Sequence, residues 1–228
     1  LNADCDLPRL QEGLRRAGEA RLCLYGPPGT GKTAFARHLA RELDRPLMVK
    51  RASDILSPYV GVAERNIARM FAQAEDQGAV LLLDEADSLL RDRHGAQRSW
   101  EVTQVNEMLT QMETFRGVFI ASTNLMDSLD AASMRRFDAR IRLGYLAPQQ
   151  AWEMFVGLAA AMGLCADPGL RLRLDRLTVL TPGDFASVAR QCRLAAPVDA
   201  ADLVGRLRDL CSSKHEPVRR SIGFVSSP

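Results

Sequence analysis

Gly26-Pro27-Pro28-Gly29-Thr30-Gly31-Lys32-Thr33 follows a short apolar run, Arg21 to Tyr25, and opens an amphipathic one at Lys32. A glycine-rich turn between a strand and a helix is the context a phosphate-binding loop requires. Gly26, Gly29 and Gly31 permit close backbone approach, so amide hydrogens and the helix N-terminus can surround phosphate oxygens. Lys32 is expected to neutralise β/γ phosphates and Thr33 to offer its hydroxyl to Mg²⁺, with Pro27, Pro28, Thr30 and Ala34 completing the nucleotide-binding stretch. A chance match to this spacing in a chain of this length has a probability of roughly one per cent or less at average residue frequencies.

Working outward, short apolar runs alternate with longer amphipathic ones, which predicts an α/β fold with a parallel sheet sandwiched by helices. Five strands are expected: Arg21 to Tyr25, Leu47 to Arg51, Ala79 to Leu83, Val118 to Ser122 and Arg140 to Leu143. Phe35, Ala36, Leu39, Ala40 and Leu43 recur at helical spacing, and Val62 to Ala74 and Ser99 to Met112 read similarly. After Tyr145 the strand-like runs stop and Ala-rich and Leu-rich periodic segments follow, a small all-helical subdomain. The expected organisation is a nucleotide-binding core over 1–146, a helical lid over 147–213 and a polar tail over 214–228 that carries Arg219 and Arg220.

Composition narrows the class. Apolar residues make up 46% and charged residues 25% of 228, which excludes disordered, collagen-like and disulfide-dominated chains. A net charge of +2 gives no global reason to expect nucleic acid or an anionic membrane as partner. Five cysteines, odd in number and never spaced as CxxC, suggest neither a disulfide framework nor a zinc site, and fit a reducing cytoplasm. No apolar run reaches the roughly 18 residues of a membrane span, and the start, LNADCDLPRL, has no signal-peptide pattern. The chain begins with Leu1 rather than Met, as a piece of a longer polypeptide would.

Leu81-Leu82-Leu83-Asp84-Glu85 is an apolar strand ending in two carboxylates. With a phosphate-binding loop upstream, Asp84 is expected in the Mg²⁺ shell and Glu85 to orient and polarise an attacking water. The letters Asp84-Glu85-Ala86-Asp87 also spell a helicase signature, but only about 80 residues of helical pattern follow the fifth strand, too few for the second strand-rich domain such a helicase needs. Asn124-Leu125-Met126-Asp127 lacks the lysine of a guanine-recognition motif, which disfavours GTP.

Taken together, GPPGTGKT, LLLDEAD and VFIASTNLMDSLDAASMRRFD (Val118 to Asp138) resemble the AAA subfamily of AAA+ ATPases, from about Leu22 to Arg193. The resemblance implies ATP and Mg²⁺ as ligands and ATP hydrolysis as the activity. It implies that Asn124 contacts the γ-phosphate and the lytic water. It implies that Arg135 and Arg136 reach the nucleotide of a neighbouring subunit, so that hydrolysis depends on assembly into a ring, expected to be a hexamer. The usual pattern separates these arginines by Pro-Gly; here they are adjacent, which leaves open which one reaches the γ-phosphate. Tyr59-Val60-Gly61 resembles the family's first pore loop, implying a ring channel that grips a polypeptide, and Gly183-Asp184 matches the lid turn against the adenosine. The adenine-recognition segment is expected near Asn2 to Asp6. The implied function is remodelling or threading of protein substrates. The alternatives on the same core are a DNA-linked ATPase of the loader or initiator type and a noncatalytic nucleotide-binding interaction module.

Overall fold

A computed structural model describes residues 1–57, 59, 61–90, 99–126 and 129–215. Val60 of the expected pore loop and Arg219 and Arg220 of the expected tail lie outside the described residues. The chain divides into two compact units, Leu1–Gly144 and Tyr145–Pro228.

The first unit begins with α1 (Leu7–Ala17), whose N-cap Asp6 accepts from the Arg9 amide at 3.1 Å. There follow β1 (Ala20–Tyr25), α2 (Lys32–Glu42), β2 (Leu47–Arg51), α3 (Ala52–Ile55), α4 (Val62–Asp76), β3 (Val80–Asp84), α5 (Ser99–Thr114), β4 (Val118–Thr123), α6 (Ala131–Met134) and β5 (Ala139–Arg142). The five strands form one sheet in the order β2-β3-β4-β1-β5, with every pair parallel. Side chains alternate across a strand, and here both faces are apolar, as a parallel sheet covered on both sides demands. Leu22, Leu24, Val80, Leu82, Val118 and Ile120 pack against Leu14 of α1 and Phe35, Ala36 and Leu39 of α2. Their neighbours Cys23, Leu81, Leu83, Phe119 and Ala121 pack against Ile67, Met70 and Phe71 of α4 and Met108 and Met112 of α5. Because all five strands run the same way, the C-terminal ends of β1, β3 and β4 share one edge of the sheet.

The second unit is helical: α7 (Pro148–Ala161), a 3₁₀ turn (Pro168–Leu170), α8 (Arg171–Asp175), α9 (Pro182–Leu194) and α10 (Ala200–His215). Phe155, Leu174, Leu180, Val188, Leu203 and Leu207 form its core. The last helix therefore runs into the stretch expected as tail.

Candidate nucleotide site

The turn from β1 into α2 is shaped by glycine. Gly26 has φ 139°, and a Cβ there would stand 2.1 Å from the Leu143 carbonyl oxygen. The backbone just past β5 thus requires glycine at this position independently of any ligand. Gly29 (φ 79°) and Gly31 (φ 97°) also take left-handed conformations that side chains rarely adopt. Gly31 is the N-cap of α2 and contributes no side-chain cap, so the first-turn amides of that helix have no side-chain acceptor. Exposed Pro28 and Gly29 form the crest of the turn, Ala34 is exposed in the first turn of α2, and buried Thr30 donates its hydroxyl to the Pro27 carbonyl at 2.9 Å.

Lys32 is only 8% exposed. Its ammonium donates to the carbonyls of Gly26 (2.8 Å) and Pro27 (3.0 Å) and to Asn124 Oδ1 (2.7 Å). Burial pushes its pKa below the ordinary lysine value, against the opposing pull of Asp84 and Asp87. At the end of β3, Asp84 Oδ2 accepts from the Thr33 hydroxyl at 3.0 Å and Oδ1 accepts from Ser122. Glu85 follows with φ 58° and ψ 42°, a left-handed conformation uncommon for a side-chain-bearing residue, and its side chain is exposed. At the end of β4, Thr123 donates to Asp87 Oδ1 and accepts from the Leu125 amide, each at 2.9 Å.

Direct hydrogen bonds thus pair Lys32 with Asn124 and Thr33 with Asp84, with Glu85 next in chain. Ser122, Thr123 and Asp87 also belong to this site, although no phosphate-binding motif singles them out. The signal for the first two is the polar triplet Ser122-Thr123-Asn124 closing an otherwise apolar strand.

These residues fit a magnesium triphosphate. A buried ammonium beside uncapped helix amides suits phosphate oxygens, and Thr33 with Asp84 supplies the hydroxyl and single carboxylate that Mg²⁺ takes alongside phosphates and water. Among the described residues no three His, Cys, Asp or Glu side chains gather as a protein-made metal cage. Near the expected adenine segment, Asp4 N donates to the Arg142 carbonyl at 3.2 Å and Gly144 N to the Asn2 carbonyl at 2.8 Å. The Leu1 side chain lies so close to Gly31 that a Cβ there would meet Leu1 Cδ2 at 2.8 Å. The N-terminal segment therefore runs beside the glycine-rich turn.

The other expected site residues belong to other elements. Arg135 and Arg136 follow α6; Arg136 is paired with Glu113 at 2.6 Å, and Arg135 is exposed. Tyr59 is 74% exposed, and Gly61 (φ 77°) is the N-cap of α4. Asn66 Nδ2 donates to the Ile55 carbonyl at 3.1 Å, tying α4 to the end of α3. In the helical unit, Gly183 and Asp184 occupy the first turn of α9, where Asp184 Oδ2 accepts from Thr181 N (2.7 Å), Thr181 Oγ1 (2.8 Å) and Lys214 Nζ (2.6 Å). That carboxylate is engaged within its own unit.

A parallel sheet whose first strand ends in this turn, and whose third ends in Asp84-Glu85, defines the P-loop nucleoside-triphosphatase class. Comparison with known proteins narrows it: the sequence model of the ATPase family associated with various cellular activities (AAA) matches residues 22–145. The chain belongs to that family. It is 40% identical over 133 residues to the ATP-dependent zinc metalloprotease FtsH 1 of Alkaliphilus metalliredigens (strain QYMF), covering 54% of this chain and 22% of that protein. It is 32% identical over 197 residues to spastin of Drosophila melanogaster, covering 82% and 26%. With the ATP-dependent zinc metalloprotease FtsH 2 of Sorangium cellulosum (strain So ce56) it is 33% identical over 200 residues, covering 81% and 32%. The chain spans between about a fifth and a third of the length of these relatives. Among the described residues, no helix is long and apolar enough to cross a membrane.

Proposed function

We propose that the chain is a Mg²⁺-dependent ATPase that assembles into a ring, six-membered by its family resemblance, and couples hydrolysis to remodelling or threading of a protein substrate. The observation that carries this reading is the hydrogen bond from Lys32 to Asn124, beside the Thr33–Asp84 contact, because it gathers phosphate-binding and water-positioning groups at one sheet edge. That two relatives are ATP-dependent by name supports ATP as the triphosphate.

In this reading the α2 amides and Lys32 hold the β- and γ-phosphates. Mg²⁺, held through Thr33 and Asp84, supplies charge neutralisation on the phosphates. Glu85 orients and polarises the water, whose oxygen forms the new bond to the γ-phosphorus as the bond to the β-phosphate bridge breaks. Asn124 contacts the γ-phosphate and that water, and a guanidinium from the Arg135-Arg136 pair of a second copy neutralises the developing charge. Tyr59, Val60 and Gly61 form the grip on substrate, a role supported by the exposure of the Tyr59 ring. Five free cysteines support a reducing cytoplasmic setting.

The test is ATP turnover with Glu85→Gln as control. The wild type should hydrolyse ATP and be stimulated by an unfolded protein rather than by DNA, while Glu85→Gln retains ATP and loses turnover by roughly a hundredfold or more. Stimulation by DNA alone would favour the loader-type alternative. Absence of wild-type turnover at high protein concentration would leave a noncatalytic nucleotide-binding module.

A further inference from the structure

The adjacent arginines after α6 have different surroundings. Arg136 Nε donates to Glu113 Oε1 at 2.6 Å, and its Nη1 donates to the Ala132 carbonyl at 2.9 Å. Glu113 lies in the last turn of α5, and that turn is itself fixed: Arg21 Nη2 donates to the Glu113 carbonyl at 3.0 Å, and Arg21 Nε donates to that of Met112. A guanidinium on the last carbonyls of a helix satisfies acceptors that have no intrahelical partner and complements the helix dipole. Arg21 is also bound to Asp138, the residue before β5: its amide donates to Asp138 Oδ2 at 2.7 Å, and its carbonyl accepts from the Asp138 amide at 2.8 Å. Residues 136–138 are thereby held to α5 on one side and to β1 on the other.

Arg135 has no such tie. Its amide bonds the Ser133 carbonyl, its side chain is exposed, and among the described residues no hydrogen bond or ion pair reaches its guanidinium. Glu113 compensates Arg136; of the adjacent pair, Arg135 is the one whose charge is left uncompensated among the described residues.

We propose that Glu113 is a positioning residue: it holds Arg136 as an internal strut, so that Arg135 alone is presented to the triphosphate of a second copy of this chain. The adjacent arginines are then not interchangeable, in spite of their identical chemistry. This inference rests on the ATPase reading above.

The experiment uses Arg135→Ala, Arg136→Ala, Arg136→Lys and Glu113→Gln, each alone and each mixed with excess Glu85→Gln protein, which lacks its own water-polarising group but keeps both arginines. Rates are taken per protomer with an intact Glu85, alongside nucleotide Kd. Arg135→Ala should lose roughly a hundredfold or more in kcat and regain at least about tenfold on mixing, since a trans-acting guanidinium is worth about 10³ to 10⁵ in rate. Arg136→Ala and Glu113→Gln should each lose less than about tenfold in kcat with Kd unchanged, and a variant carrying both substitutions should be no worse than either single, as expected for two ends of one contact. Arg136→Lys, which keeps a cation opposite Glu113, should recover most of the loss. A hundredfold loss in Arg136→Ala that mixing rescues, or equal losses in Arg135→Ala and Arg136→Ala, would overturn the division of roles while leaving the ATPase reading intact. A wild type without turnover at any protein concentration would instead remove the reading on which the inference stands.

Discussion

Lys32 carries a charge into a place where burial disfavours it, held there by hydrogen bonds to two carbonyls and Asn124 and by the pull of Asp84 and Asp87. Those acceptors are neutral, so a triphosphate is a stronger partner for the same ammonium. Hydrogen bonds to charged groups contribute about 1.5–3 kcal/mol each. Lys32→Ala should therefore weaken nucleotide binding by roughly tenfold to a hundredfold, read by calorimetric titration with ADP and ATP; unchanged affinity would contradict the phosphate-cradle assignment. A second residue reports on the core rather than the site. Cys23, fully buried in β1, has its thiol pushed up to about 12 from 9.0 by burial, with Arg140 opposing. The unfolded thiol ionises first, so this contribution to stability is complete below pH 9 and is lost as pH rises through the interval up to about 12, by at most about 1.4 kcal/mol per pH unit. In thermal melts from pH 8 to pH 11, the stability advantage of the wild type over Cys23→Ala should shrink steadily; a constant difference would show that the thiol is not shielded.

At the scale of elements, the turn between β1 and α2 is bounded by β5 as much as by any ligand. Gly26→Ala should destabilise the fold by roughly 2–4 kcal/mol, since a methyl cannot share space with the Leu143 carbonyl and the backbone is strained for alanine. Urea unfolding checks this, and a loss below about 1 kcal/mol would mean that β5 can move aside. The strands were legible in the sequence because both faces of each central strand are buried, leaving continuous apolar runs such as Val80 to Leu83. The helix α1 was not: its Leu7, Leu10 and Leu14 have helical spacing, but Pro8 and Gly13 interrupt it and only Leu14 is buried. Helices α3 and α6 have four residues each, too short to show a period. The same contrast runs through the site. Lys32, Thr33 and Asp84 are legible because local motifs fix them, whereas the contacts of Ser122 with Asp84 and of Arg21 with Glu113 join residues 38 and 92 apart and exist only once the strand order is set.

For the whole molecule, the proposed mechanism leaves one protomer an incomplete enzyme. Lys32, Asp84, Glu85 and Asn124 stand at one edge of the sheet, while the arginines expected to finish the reaction follow α6 with Arg136 tied to α5. If Arg135 acts only on the triphosphate of another copy, activity belongs to the assembly and its rate law must show it. The most direct measurement is ATP turnover per protomer across a wide range of protein concentration, with molecular mass followed in the same samples. If the arginines act in trans, specific activity should rise steeply as mass moves from protomer to ring and then level off. Constant specific activity from dilute protomer to concentrated protein, at full nucleotide occupancy, would contradict it.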